Sequence, residues 1–149
     1  MLTAERLIDM SKIAVVYWSG TGNTEAMANA VLEGVKEAGA EGELLNCGEF
    51  DAVKVADYDA IAFGCPAMGD EVLEEGEFEP MFEGCVSALK DKKIALFGSY
   101  GWGDGEWMRN WEDECRNAGA VLACDSVICN DAPDSDCESA CRALGKQLA

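Results

Sequence analysis

Lys12-Ile13-Ala14-Val15-Val16-Tyr17-Trp18 runs directly into Ser19-Gly20-Thr21-Gly22-Asn23-Thr24, and this junction decides the fold. The first seven residues are nearly all apolar and include β-branched side chains, the pattern of a strand covered on both faces. From Thr24 to Ala38, Met27, Val31 and Val35 recur at i, i+4 and i+8 beside Ala28 and Leu32, which predicts a helix ending at Gly39. Further strands are predicted over Glu43–Asn46, Asp59–Gly64, Lys93–Ser99 and Val121–Cys129. Phe78, Met81, Phe82, Val86 and Leu89 trace one face of a second helix, Asp104–Ala118 makes a third before Gly119, and Pro133–Leu148 a fourth. In the last helix Pro133 suits the first turn, with Asp134 and Asp136 near the positive end of the helix dipole. Strands alternating with helices through short links imply an α/β, doubly wound fold of five parallel strands with helices on both faces. The ligand of such a sheet lies beyond the carboxyl ends of its strands.

A chain of 149 residues suits a single domain, and neither a repeat nor a low-complexity linker divides it. The domain is expected over residues 12–149, with residues 1–11 as an N-terminal extension to which no role is assigned. Glu5, Arg6 and Asp9 interrupt any signal-peptide core there, and no window reaches the ~20 apolar residues of a membrane helix, so a soluble cytoplasmic protein is expected.

Lys plus Arg number 11 and Asp plus Glu 29, a formal charge of 11 − 29 = −18, and histidine is absent. So few cations argue against nucleic acid and anionic membranes as partners. Without histidine there is no imidazole metal site, no His-based triad and no histidine pH switch. The eight cysteines contain no Cys-x-x-Cys pair, and most are expected to be reduced, small apolar side chains. Cys137 and Cys141 lie one helical turn apart, but two thiols alone make a weak metal site, and none is assigned.

Three loops follow strand ends. In Ser19 to Thr24, Gly20 and Gly22 let the backbone turn its N–H groups inward. The side chains of Ser19, Thr21, Asn23 and Thr24 add donors, and the following helix contributes its positive end. This is a phosphate nest without a cation. The lysine of a Walker A loop is missing, which disfavours ATP hydrolysis, and Glu25 fills the third glycine position of the dinucleotide fingerprint. Gly64 to Glu71 and Ser99 to Gly105 form the other two loops. Trp102, flanked by Gly101 and Gly103, and Met68 opposite are placed to contact a flat group from two sides.

Tyr17 to Glu25, Ala67 to Glu75 and Ala95 to Gly105 together resemble, in order, three segments of the short-chain flavodoxins of the clostridial type. The resemblance extends from about Lys12 to the end of the chain. It implies a flavodoxin-like sheet of order 2-1-3-4-5 and non-covalent FMN, with the phosphate at Ser19, Gly20, Thr21, Gly22, Asn23 and Thr24. The ring is then expected between Met68 and Trp102, bounded by Pro66, Ala67, Gly69, Asp70 and Glu71 on one side and Ser99, Tyr100, Gly101, Gly103 and Asp104 on the other. Pro66 stands where the family often has Ser or Thr, which removes one hydroxyl. The resemblance also implies that the Gly69–Asp70 peptide turns over on one-electron reduction, its carbonyl then accepting from the flavin N5.

The implied function is a low-potential one-electron carrier cycling between semiquinone and hydroquinone, a monomer without a catalytic residue. Its expected partners are ferredoxin- or flavodoxin-dependent oxidoreductases with basic docking patches. The alternative is an FMN-dependent quinone or NAD(P)H reductase, which would need a second-substrate pocket. A phosphorylated receiver domain is rejected, because Ser19-Gly20 and Cys65-Pro66 stand where it needs carboxylates.

Overall fold

The computed structural model describes residues 11–69 and 71–149. The elements are β1 (Lys12–Tyr17), α1 (Asn23–Glu37), β2 (Glu41–Asn46), the one-turn α2 (Ala52–Val55), β3 (Ala60–Gly64), α3 (Phe78–Cys85), β4 (Lys93–Tyr100), α4 (Glu106–Asn117), β5 (Val121–Leu122), β6 (Val127–Asn130) and α5 (Ser135–Leu148). The sheet runs β2-β1-β3-β4-β5, every pairing is parallel, and β6 also pairs with β4.

Successive residues of β1 serve opposite faces, as the pleat requires. Ala14 and Val16 join one core with Phe63, Phe78, Phe82, Trp107 and Trp111 under α3 and α4. Ile13 and Val15 join the other with Met27, Val31, Val35, Cys141 and Leu144 under α1 and α5. On the first face Phe63, Phe78, Phe82 and Trp111 meet largely edge to face, with ring centroids 5.2 to 6.2 Å apart. Two packed faces explain why β1, β3 and β4 read as unbroken apolar runs.

On the second face α1 and α5 approach unusually closely. A Cβ on Gly34 would run into the Arg142 carbonyl oxygen, and one on Gly145 into that of Val31. Each helix therefore lays bare backbone against the other. The pair is finished at its rim by Arg142–Glu33 at 3.5 Å and Lys146–Glu37 at 3.3 Å, each open to solvent on at least one side and so weak.

The expected fifth strand, Val121–Cys129, is instead two segments. Ile94 pairs with Leu122 and Phe97 with Val127, so Ala95 and Leu96 of β4 face the four residues from Ala123 to Ser126. The two surplus residues bulge out. Ser126 there donates to Glu112 of α4 at 2.6 Å, which draws this stretch away from the ladder.

The second helix stops at Cys85, and a 3-10 turn over Val86–Ala88 carries the apolar face on to Leu89. The third begins at Glu106 rather than Asp104, because Gly105, at φ 93°, holds the chain outside the helix. The last starts at Ser135. Asp134 caps it by accepting from the Cys137 N–H at 2.8 Å, which leaves Pro133 before the cap and not in the first turn. Cys129 and Cys137 are joined as a disulfide, and the other six cysteines are free. The expectation for residues 1–11 falls, apart from Ser11, outside the described residues.

Candidate functional site

The carboxyl ends of β1, β3 and β4 are tied together past the strands themselves. Trp18 N donates to Gly64 O at 3.0 Å, Cys65 N to Phe97 O at 3.1 Å and Ala67 N to Ser99 O at 3.0 Å. These bonds extend the ladder into the loops and fix where each departs. A further bond, Trp107 Nε1 to Cys65 O at 3.1 Å, anchors the second loop to α4 from below.

In the first loop Gly22 adopts φ 96°, a left-handed conformation that an L side chain resists, and no side chain caps α1. The Gly22 N–H donates to Ser19 Oγ at 3.0 Å, which curls the loop. The first-turn N–H groups of α1 thus face the loop without a side-chain partner. Thr24 and Ser99 are both buried, their hydroxyls are 3.2 Å apart, and the Ser99 N–H also reaches Thr24 Oγ1 at 3.4 Å. This contact fixes the first loop to the end of β4.

A cleft of about 320 Å³ opens between the loops. It brings together Ser19, Gly20, Thr21, Asn23 and Thr24 of the first loop, Pro66, Ala67, Met68 and Gly69 of the second, and Ser99, Tyr100 and Gly101 of the third. Two lining residues escaped the sequence-based site. Trp18 closes the floor beside Gly20, whose α-carbon faces its indole, and Asp131 enters from the loop after β6. Asp131 N donates to Tyr100 O at 2.8 Å.

Among the described residues, five predicted ones are not in the lining. Gly22 shapes the first loop from outside it. Trp102 is 64% exposed and, like Gly103 and Asp104, is not among the lining residues. Asp104 pairs with Arg109 at 3.0 Å, so part of its field is spent on that guanidinium. Glu71, at φ 55°, turns its carboxylate against Gly103, and its Oε1 is buried with no hydrogen-bond partner among the described residues. Asp70, and with it the expected Gly69–Asp70 peptide rearrangement, falls outside the described residues.

The loop leading to α3 is held by Glu74. Partial burial acts to raise its pKa, but the N–H groups of Phe78, Glu77 and Gly76, each at 2.7 Å, outweigh it and hold the carboxyl below its usual value. Glu77 in turn accepts from Trp18 Nε1 at 3.0 Å, which fixes the indole at the floor of the cleft.

The chemistry of the lining is divided. Hydroxyls, an amide and backbone N–H groups gather around Ser19 to Thr24, while Trp18, Pro66, Ala67, Met68 and Tyr100 present apolar or aromatic surface. Among the described residues neither Lys nor Arg lines the cleft, and the one charged lining residue is Asp131. These residues fit a ligand with a small anionic head and a flat, largely apolar body.

The family model described as Flavodoxin matches residues 15–145. The chain belongs to the flavodoxin family. A flavodoxin of Clostridium beijerinckii is 44% identical over 135 residues, covering 91% of this chain and 97% of the relative. One of Megasphaera elsdenii is 46% identical over 137 residues, covering 92% and 98%. The solution structure of the two-electron reduced Megasphaera elsdenii flavodoxin superposes with a TM-score of 0.85 at 46% identity, covering 91% of this chain and 97% of that one. As a flavodoxin the chain binds FMN and serves as an electron carrier, and the quinone or NAD(P)H reductase alternative is not favoured. Among the described residues no helix is long and apolar enough to cross a membrane.

Proposed function

We propose that this chain is a low-potential one-electron carrier which grips FMN through uncharged donors and meets its redox partners through its acidic surface. The observation that carries the proposal is the cleft lined, among the described residues, by neutral donors on one side, by aromatic and apolar surface on the other, and by no cation. Bound FMN supplies the one-electron chemistry. The protein's own part is to bind, orient and bias.

Ser19 to Thr24 hold the phosphate by N–H and hydroxyl donors, with the α1 dipole adding partial positive charge. Thr24 and Ser99 keep that loop in register with β4, so head and ring sites stay at a fixed separation. Met68, Trp18 and Tyr100 offer polarizable and aromatic surface to the ring. The segment from Pro66 to Glu71 runs along one edge of it, and that from Ser99 to Asp104 along the other. No residue is assigned a catalytic role, and no turnover of a substrate is expected.

Reduction adds negative charge where the chain is already negative. A carboxylate about 4 Å away opposes this by ~1 kcal/mol in water and by ~4 kcal/mol at an effective dielectric of 20. Asp131 is exposed, so the lower figure applies, and for one electron ~1 kcal/mol corresponds to ~40 mV. Asp131→Asn is accordingly expected to raise the more negative one-electron potential by ~20–40 mV. Asn tolerates the positive φ of 56° at this position, so the loop is kept. A potentiometric titration with both potentials unmoved would count against the electrostatic part of the proposal.

The partners are oxidoreductases with basic docking patches, steered by a chain of formal charge −18. The chain acts as a cytoplasmic monomer, with residues 12–149 as its one domain and residues 1–11 outside it. The deciding experiment follows electron transfer to such an enzyme by stopped flow as salt is raised. The second-order rate is expected to fall about tenfold or more between low and physiological ionic strength. A rate indifferent to salt would overturn docking by charge.

A further inference from the structure

The fold adds a third sulfur to the pair that sequence spacing alone left as a weak site. Cys129 comes from β6, Cys137 from the first turn of α5 and Cys141 from its next turn, and their three Sγ atoms all lie within 4.8 Å of one another. We propose that, once the Cys129–Cys137 bond is reduced, these three thiols form a binding site for a single soft cation of the monovalent copper and zinc class.

The geometry suits it. Metal–sulfur bonds of about 2.3 Å set three sulfurs roughly 4 Å apart around a shared ion, within the spread already present. Cys129 and Cys141 are buried and the Cys129 and Cys137 α-carbons are 6.1 Å apart, so only side-chain rotation is needed to bring the sulfurs onto one ion. The helix turn that carries Cys137 is itself pinned, since its N–H donates to Asp134 Oδ1 at 2.8 Å.

Access is provided by a separate cavity of about 330 Å³ lined by Cys129, Cys137, Asp134 and Asp136 among others. Among the described residues it shares no lining residue with the flavin cleft, and no Lys or Arg lines it. Its two carboxylates draw cations in. Three thiolates select a soft ion over calcium or magnesium, which prefer all-oxygen cages. Cys141 distinguishes the arrangement from a plain disulfide, because it takes no part in the bond and still lies beside both partners.

Opening the site consumes two electrons and two protons. A dithiol reductant supplies both, becomes a disulfide itself and leaves two thiols on the protein. The incoming cation then displaces the thiol protons to solvent.

The test uses the FMN-loaded chain, reduced by a dithiol and freed of it without oxygen. A thiol count of eight after denaturation establishes that the bond was open, since the chain has eight cysteines. Cadmium ion is then titrated, followed by sulfur-to-metal charge-transfer absorption and by native mass spectrometry. One ion per chain is expected, and none in the oxidised protein. Cys137→Ser should weaken binding by more than the roughly 10–100-fold that follows loss of an outer-shell contact. Cys124→Ser, at a cysteine outside the cluster, should leave it unchanged. Absence of bound cadmium in protein with all eight thiols free would overturn the proposal, as would equal binding by Cys137→Ser.

Discussion

Gly145→Ala is expected to lower stability by ~2 kcal/mol, and Gly34→Ala by a similar amount. Each new methyl would meet a carbonyl of the facing helix, Val31 O or Arg142 O, and backbone cannot rotate aside as a side chain can. Overpacking of this kind costs about 1–3 kcal/mol, here toward the upper end. Against it stands the ~1 kcal/mol that alanine gains over glycine within a helix. The net loss corresponds to ~4–8 °C in thermal midpoint for a chain of this size. Gly84→Ala is the internal control. It lies in α3 with open space where its Cβ would stand, so the same substitution should be neutral or stabilising by up to ~1 kcal/mol. Thermal unfolding of the three variants checks the contrast, and a common response at all three positions would refute the close-packing explanation.

Thr21→Asp should weaken FMN binding about 30-fold while leaving the fold intact. Thr21 is exposed on the first loop and makes no hydrogen bond that holds the core. Because the position is exposed, the lower figure of ~1 kcal/mol per unit charge at about 4 Å applies, and a doubly charged phosphate brings the opposition from an added carboxylate to ~2 kcal/mol. Each 1.4 kcal/mol is tenfold in affinity. Among the described residues no lysine or arginine lines the cleft to absorb the new charge, so little should offset that cost. Fluorescence titration of the apoprotein gives the affinity, and circular dichroism reports the fold. Affinity within threefold of the parent would remove the phosphate from this loop.

These two positions also show what a sequence reveals and what it hides. The site's first loop was legible because it states its physics locally: an apolar run stops, glycines and hydroxyl side chains follow, and helical periodicity begins. Sheet order rested on the family resemblance, since chain order alone leaves several windings open. Gly34 and Gly145 were not legible, as neither residue carries any local mark of the helix it will face more than a hundred positions away.

The bulge between Leu122 and Val127 was hidden for a related reason. Its position is set by the register against β4 and by the pull of Glu112 on Ser126, both long-range. Asp131 was within reach. Asn130-Asp131-Ala132-Pro133 is a turn sequence after the last strand, and the rule that ligands gather at carboxyl ends applies to that loop as much as to the three considered.

The most direct test of the account compares FMN with riboflavin, which differ only in the phosphate, by titrating each into the apoprotein. If neutral donors in Ser19 to Thr24 supply the grip, riboflavin should bind at least ~100-fold more weakly, the value of two charge-assisted hydrogen bonds at about 1.5 kcal/mol each. In Thr21→Asp the difference between the two ligands should shrink to a few fold. Equal affinity of the parent protein for both ligands would contradict the central claim.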